Sequence, residues 1–142
     1  METKVKTIIS VQTKINAPVE KVWKNWITPE DIVKWNNASE DWHTTLATND
    51  LRVGGKFHSR MEAKDGSIGF DFDGVYSIVK TKSQIEYEIG DGRKVRIDFT
   101  ANGKDTRIVE TFESEDTNSI DIQRTGWQAI LNNFKKYVER NK

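Results

Sequence analysis

The chain has 142 residues, with 22 basic and 22 acidic side chains and no cysteine. This length suits one domain that buries roughly two-thirds of the surface its unfolded chain exposes, so we expect a single domain over residues 1–142. Balanced charge argues against a nucleic-acid partner, and the lack of cysteine excludes disulfides and thiol nucleophiles. No segment reaches the ~20 apolar residues of a membrane span and no signal peptide is visible, so we expect a cytoplasmic protein without membrane insertion.

The first third of the chain predicts one strand and two short helices. Residues 5–15 alternate weakly between apolar and polar side chains, which is typical of a strand. Pro18 suits the first turn of a helix that ends at Thr28. A second helix then begins at Pro29, with Thr28 as its N-cap, and ends before Asn36.

The middle of the chain predicts six further strands, because the hydrophobic period changes to two. We place them at residues 43–48, 55–63, 70–80, 84–89, 94–101 and 106–112, separated by turn dipeptides such as Asp65-Gly66 and Asn102-Gly103. Gly74 interrupts the longest strand, where a bulge or a sharp bend would help to curl the sheet around a helix. Alternation puts the apolar side chains on one face and the charged ones on the other, as in an antiparallel sheet that is covered on one side. The predicted inner face carries Phe57, Ser59, Met61, Phe70, Phe72, Tyr76, Ile78, Ile85, Tyr87, Ile89, Val95, Ile97, Phe99, Ile108 and Phe112.

A long amphipathic helix is predicted at residues 118–141, with Asn118 as its N-cap. Its apolar residues recur with a period of 3.6 and form one stripe: Trp127, Ile130, Leu131, Phe134, Tyr137 and Val138. This stripe needs an apolar surface to cover, and the sheet supplies it. The order of elements therefore predicts an α+β fold, in which a curved antiparallel sheet of six to seven strands wraps around the C-terminal helix.

Several motifs resemble one bacterial family. They are Asn16-Ala17-Pro18-Val19-Glu20-Lys21-Val22-Trp23, Thr28-Pro29-Glu30 with Trp35, Arg52-Val53-Gly54-Gly55-Lys56-Phe57, Asp73-Gly74 and Gly126-Trp127. Together they resemble the bacterial proteins related to the activator of the 90-kDa heat-shock chaperone's ATPase, within the START-like helix-grip superfamily. The resemblance spans nearly the whole chain and implies the fold predicted above. It implies activity much less closely, since helix-grip domains bind, transfer or transform many different ligands.

The resemblance also implies a cavity between the long helix and the sheet that takes an apolar ligand. Periodicity identifies a buried face but not an empty space, so an ordinary filled core is the alternative. We expect Trp35 near the mouth, and Glu110 is the one polar residue that alternation places convincingly inside, beside Ile108 and Phe112. The candidate lining residues are Trp35, Phe57, Met61, Phe72, Tyr76, Tyr87, Ile97, Phe99, Glu110, Trp127, Leu131 and Phe134.

Other chemistry has weak support in the sequence. There is no Gly-x-Ser-x-Gly elbow, and His58 lies on the polar side of its strand, which favours a solvated histidine. Asp71 and Asp73 share that face without further ligands at metal spacing, so a charged outer surface is the better interpretation. Gly54-Gly55 lacks the residues that follow in a phosphate-binding loop. We therefore expect no metal and no cofactor.

Three functional hypotheses follow. The first is a non-enzymatic domain that binds a small apolar or amphipathic molecule between the C-terminal helix and the sheet. The second, implied by the resemblance, is a domain that binds a chaperone and stimulates its ATPase. The third is an enzyme of the cyclase or hydratase kind, for which Glu110 is the residue to examine first.

Overall fold

A computed structural model describes residues 7–140 and confirms the predicted α+β architecture. Seven strands and three helices follow one another as β1 (Ile8–Ile15), α1 (Val19–Ile27), α2 (Pro29–Trp35), β2 (Trp42–Asn49), β3 (Lys56–Ala63), β4 (Gly69–Lys80), β5 (Gln84–Ile89), β6 (Lys94–Asn102), β7 (Asp105–Glu113) and α3 (Ile120–Arg140). The predicted ends at residues 5 and 141 lie outside the described range.

All seven strands form one curved antiparallel sheet in the order β1-β7-β6-β5-β4-β3-β2. The first strand pairs with the last, with Ile9 opposite Phe112, while β2 forms the other edge. The two short helices therefore carry the chain from one edge of the sheet to the other. This path closes one end of the inner face and leaves α3 to cover the rest of it.

The inner face is apolar, as alternation predicts. Side chains of neighbouring strands meet across it in rows, for example Ile85 opposite Ile97 and Val95 opposite Phe112. All four are at most 1% exposed. The outer face carries ion pairs instead, including His58 with Asp71 at 2.8 Å between Nε2 and Oδ1. The one-sided burial confirms that a single layer of helices covers this sheet.

Hydrogen bonds hold α3 against the short helices. Asn133 donates from Nδ2 to the carbonyl oxygen of Trp35 at 2.8 Å, and the Tyr137 hydroxyl donates to Oδ1 of Asp31 at 2.5 Å. Both contacts join α3 to α2, so three helices act as one cover. No helix within residues 7–140 is long and apolar enough to cross a membrane.

The bulge predicted at Gly74 is wrong in position. The register between β4 and β5 shifts between Tyr76 and Ile78, so Val79 packs against the core and Ile78 is not on the inner face where alternation placed it. Gly74 has a different role, because a Cβ there would overlap the ring of Phe57. The glycine lets an aromatic ring lie directly on the backbone of the neighbouring strand.

Two helix caps also differ from prediction. Ser119, not Asn118, caps α3, since its Oγ accepts the Ile122 amide at 3.1 Å. Asn118 instead donates to Oε1 of Glu115 at 2.7 Å. Thr28 occupies the N-cap position of α2 as predicted, but its hydroxyl donates back to the Lys24 carbonyl at 2.6 Å and leaves the amides of α2 uncapped.

Candidate functional site

A cavity of about 370 Å³ lies between α3 and the inner face of the sheet, and we call it the α3 cavity. Aromatic rings supply most of its wall: Trp26, Trp35, Phe57, Phe70, Phe72, Tyr76, Tyr87 and Trp127. Aliphatic side chains and one glycine add Ile32, Met61, Ile85, Ile122, Ile130 and Gly126. Its polar lining residues are Asn36, Thr48, Asn49, Ser59, Arg93, Glu110, Glu115, Asn118 and Gln123.

The structure brings eight of the predicted lining residues together around this space: Trp35, Phe57, Met61, Phe72, Tyr76, Tyr87, Glu110 and Trp127. The other four, Ile97, Phe99, Leu131 and Phe134, are buried but lie outside the lining. They fill the core beyond the cavity. Periodicity had grouped all twelve because it reports which side chains point inward and not how much space separates them.

The apolar stripe of α3 is divided between these two regions. Phe134 is fully buried and its ring centroid lies 4.7 Å from that of Trp35 and 4.9 Å from that of Trp26. One to two turns earlier, Trp127 and Ile130 lie over open space as part of the cavity wall. The C-terminal half of the stripe is therefore packed core, and the N-terminal half is a roof.

Trp127 is held in place by other rings. Its indole stacks on Phe112 with centroids 3.9 Å apart and planes 13° from parallel, and Phe72 meets it edge-on at 6.2 Å. Gly126 precedes it, and a Cβ on this glycine would have no atom within 4 Å. The pair thus places one large ring and one open position side by side in the roof.

Trp35, which we expected near the mouth, lines the cavity as a buried residue. It is 5% exposed, and its indole N–H donates to the Asn25 carbonyl at 3.0 Å. Trp26 stacks against it at 4.9 Å and also lines the cavity, although the candidate set omitted it. The sequence could have indicated Trp26 as a lining residue, because it lies on the apolar side of α1.

Asn49 is a lining residue that sequence reasoning missed. Its Oδ1 accepts the Tyr76 hydroxyl at 2.5 Å, and its Nδ2 donates to the Ile27 carbonyl at 2.7 Å. This chain of hydrogen bonds ties β4 to β2 and to the end of α1. Burial raises the pKa of Tyr76, so this phenol stays a neutral donor. The sequence does not predict that Asn49 lines the cavity. It is the last residue of β2, where alternation no longer indicates which way a side chain points.

Glu110 is the buried acid of the cavity, as predicted. It is 6% exposed, and its strand neighbours in register are Val11 on β1 and Ile97 on β6. No hydrogen bond or ion pair joins its carboxyl group to any residue between 7 and 140. Burial in this apolar setting raises its pKa to about 8.

Tyr87 stands close enough to Glu110 to feel its charge. Burial raises the pKa of the Tyr87 phenol, and the Glu110 carboxylate raises it further, whereas Arg93 acts in the opposite direction. Tyr87 does not change the pKa of Glu110 in return. Glu110 loses its proton first, and Tyr87 is then still a neutral phenol that places no charge near it. Both groups are therefore protonated at neutral pH.

The outer face does not form a metal site. His58 contacts Asp71 at 2.8 Å and Asp73 at 3.6 Å, and Arg60 approaches Asp71 at 3.3 Å. The hydrogen bond with His58, together with the nearby Arg60 guanidinium, lowers the pKa of Asp71. In the described part of the chain, no group of three or more His, Asp or Glu residues could hold a metal ion.

The fold and the cavity can now be compared with known proteins. The family model described as Activator of Hsp90 ATPase homolog 1-like protein matches residues 16–139. This chain belongs to that family. The match covers the cavity and all three helices, and it confirms the family resemblance seen in the motifs. No curated protein matches the chain.

Solved structures of relatives agree with this family membership. An AHSA1-like protein from Aeromonas hydrophila is 43% identical, with a TM-score of 0.89 over 94% of this chain and 93% of that one. A protein from Cytophaga hutchinsonii is 56% identical, with a TM-score of 0.81 over 94% and 92%. A Nitrosomonas europaea protein that is only 17% identical, with a TM-score of 0.81 over 100% of both chains, shares the fold. The helix-grip architecture is thus common to close and distant relatives.

Proposed function

We propose that this domain binds a small amphipathic molecule in the α3 cavity. The observation that supports the proposal is a space of about 370 Å³ with many aromatic lining residues, into which Glu110 projects a buried carboxyl group that has no hydrogen-bond partner among residues 7–140. Ligand sites in proteins have this character, with a mostly apolar wall and few polar groups that fix orientation. The membership in a helix-grip family is consistent with it.

Energetics support occupation of the cavity. At about 24 cal/mol per Å³, a rigid empty space of about 370 Å³ would cost on the order of 9 kcal/mol, which is comparable to the whole stability of a typical domain. Part of this cost is relieved by water, but water gains few hydrogen bonds from a wall of aromatic rings. An apolar ligand that displaces it recovers contacts along most of the wall.

We propose that ligands enter the cavity beside the first turn of α3. Two of the lining residues there are large, apolar and exposed: Ile122 is 63% exposed and Phe70 is 46% exposed. The ring of Trp42 rests 5.7 Å from that of Phe70, so an apolar rim continues onto β2. A ligand that enters between α3 and the start of β4 meets an apolar surface before it meets Glu110.

The test is a binding screen by backbone amide chemical shifts and tryptophan fluorescence, using fatty acids, sterols and aromatic metabolites. We expect shifts around Trp127 and Phe57. Gly126→Leu places a side chain where the Cβ meets no atom and should weaken binding, whereas Lys136→Leu on the exposed side of α3 should not. If no compound in the panel perturbs the cavity residues, the proposal is wrong.

A second candidate is binding to a chaperone, and it is favoured by the description of the family model, which refers to an activator of an Hsp90 ATPase. The measurement is the chaperone's ATPase rate with and without this protein. A rate increase that Ile122→Asp abolishes would assign the apolar rim to a protein partner. Unchanged rates together with no detectable association would exclude this candidate.

A further inference from the structure

Three buried polar side chains of the α3 cavity have no hydrogen-bond partner among residues 7–140: Glu110, Tyr87 and Ser59. They are 6%, 8% and 5% exposed, respectively. No side-chain oxygen or nitrogen in the described chain is both fully occluded and unpaired. The carboxyl oxygens of Glu110 and the hydroxyl of Tyr87 therefore open onto the cavity, where a ligand can reach them.

Glu110 and Tyr87 act on the same part of the cavity, whereas Ser59 does not. In the register of the sheet, Glu110 lies opposite Ile97 on β6, and Ile97 lies opposite Ile85 on β5. Tyr87 follows Ile85 by two residues and points to the same face of the sheet, so it is a diagonal neighbour of Glu110. Ser59 lies opposite Phe72 on β4, four residues away from Tyr76, which is the residue opposite Tyr87, so Ser59 is farther along the sheet. The cavity thus has one region where two polar groups, those of Glu110 and Tyr87, lie together, and a separate hydroxyl group on Ser59.

The protonation state of this pair decides what it can bind. Burial in the apolar wall favours the neutral form of Glu110 and raises its pKa to about 8, so its carboxyl group is mostly protonated at pH 7, and the Tyr87 phenol is protonated too. Each then presents one O–H group. Three other lining residues are ionisable, and each has a partner. The Nε of Arg93 donates to Asp91 at 2.8 Å, and the Oε1 of Glu115 accepts the Asn118 amide. The Tyr76 hydroxyl donates to Asn49. The part of α3 in the wall contributes no ionisable group.

Two adjacent, unpaired O–H donors in an apolar wall need an acceptor. We propose that the ligand carries a carbonyl oxygen that accepts hydrogen bonds from both Glu110 and Tyr87, an inference that rests on the proposed ligand-binding function. A neutral carboxylic acid and a tyrosine hydroxyl together are a donor pair suited to such an oxygen. A protonated amine fits less well, because it finds no ionised partner at Glu110 and shares the cavity with the Arg93 cation.

The experiment compares four naphthalene probes that share one ring system. Methyl naphthyl ketone carries the acceptor, isopropenylnaphthalene replaces the carbonyl oxygen by a CH₂ group of similar shape, naphthylethylamine carries a cation, and naphthoic acid carries an anion. Dissociation constants are measured on the full chain by tryptophan fluorescence at about pH 6. We expect the ketone to bind about tenfold or more tightly than the alkene, since two buried donors gain a partner.

Variants then assign this preference to the proposed residues. Tyr87→Phe and Glu110→Leu should each reduce the preference for the ketone over the alkene, and the double variant should bring the two affinities together, whereas Glu110→Gln should keep more of the preference than Glu110→Leu because its amide N–H still donates. Ser59→Ala is the matched control, since it removes an equally buried hydroxyl elsewhere in the same wall, and it should leave the preference unchanged. In the wild type, the preference should fade as the pH rises above about 8 and Glu110 ionises.

The outcomes separate this inference from the proposed function. Equal binding of ketone and alkene would overturn the carbonyl assignment while leaving ligand binding intact. Tightest binding of the amine would show that Glu110 acts as an anion, and tightest binding of the acid would transfer the polar role to Arg93; either result overturns the inference. If none of the probes binds and the wider panel also fails, both proposals fall.

Discussion

Replacement of Glu110 by glutamine should change how the stability of this protein depends on pH. Glu110 is buried among apolar neighbours, and its pKa rises from 4.5 to about 8 on folding. Between these two values the folded state holds a proton that the unfolded state has lost. The free energy of unfolding must therefore fall as the pH rises through this window, and it stops falling once Glu110 has ionised in the folded state as well.

The size of the effect follows from the two pKa values. At about 1.4 kcal/mol for each pH unit, the interval from 4.5 to about 8 corresponds to on the order of 5 kcal/mol, of which about 4 kcal/mol is lost between about pH 5 and pH 9. That is a large part of the 5–15 kcal/mol typical of domains. Glu110→Gln removes the ionisation and keeps the shape, so its stability should fall by about 4 kcal/mol less than that of the wild type between about pH 5 and pH 9, and it should exceed that of the wild type at about pH 9.

Urea unfolding of both proteins at a series of pH values measures this difference directly. The range stays below about pH 9 because unfolded tyrosines begin to ionise near pH 10, whereas burial raises the pKa of Tyr76 and of Tyr87 in the folded state, and this difference would lower the stability at higher pH for a reason unrelated to Glu110. Glu88→Gln is the matched control, since this glutamate is an exposed strand residue and its loss should leave the pH profile parallel to that of the wild type. Parallel profiles for Glu110→Gln and the wild type would refute the reasoning, because they would mean that Glu110 ionises in the folded state as readily as it does in water.

Three further predictions concern packing and capping. Gly74→Ala should lower the free energy of unfolding by about 1–3 kcal/mol, because the new methyl group overlaps the Phe57 ring. Adding Phe57→Leu to that variant should recover part of the loss, and additive effects of the two substitutions would contradict this contact. Leu131→Ala should cost about 2–5 kcal/mol, since this side chain is 1% exposed in the filled core; a loss under about 1 kcal/mol would show that the core collapses around it. Ser119→Ala should cost about 1 kcal/mol by removing the N-cap of α3, measured by thermal unfolding, and an unchanged midpoint would assign no stabilising role to that cap.

Much of the fold could be predicted because its signals are local. Strand and helix periods, together with dipeptides such as Asn102-Gly103, fixed the order of elements and placed Glu110 inside. The cap of α3 was misplaced by one residue, because Asn118 and Ser119 are both good capping residues and only the conformation of the preceding loop selects between them. The bulge was misplaced for a related reason: glycine has several uses in a strand, and the use at Gly74 depends on a ring from another strand.

The sequence by itself determined which side chains point inward, since that depends only on the residue spacing along each element. It did not determine where the inward side chains meet and where they leave a space. Trp127 and Phe134 belong to one stripe of one helix, yet the first borders the α3 cavity and the second is packed against Trp35. The distance between α3 and the sheet differs at these two positions, and that distance is set by strand curvature and by residues remote in sequence. Only the tertiary structure therefore decided that Glu110 and Tyr87 share an open cavity and have no side-chain hydrogen-bond partner among residues 7–140.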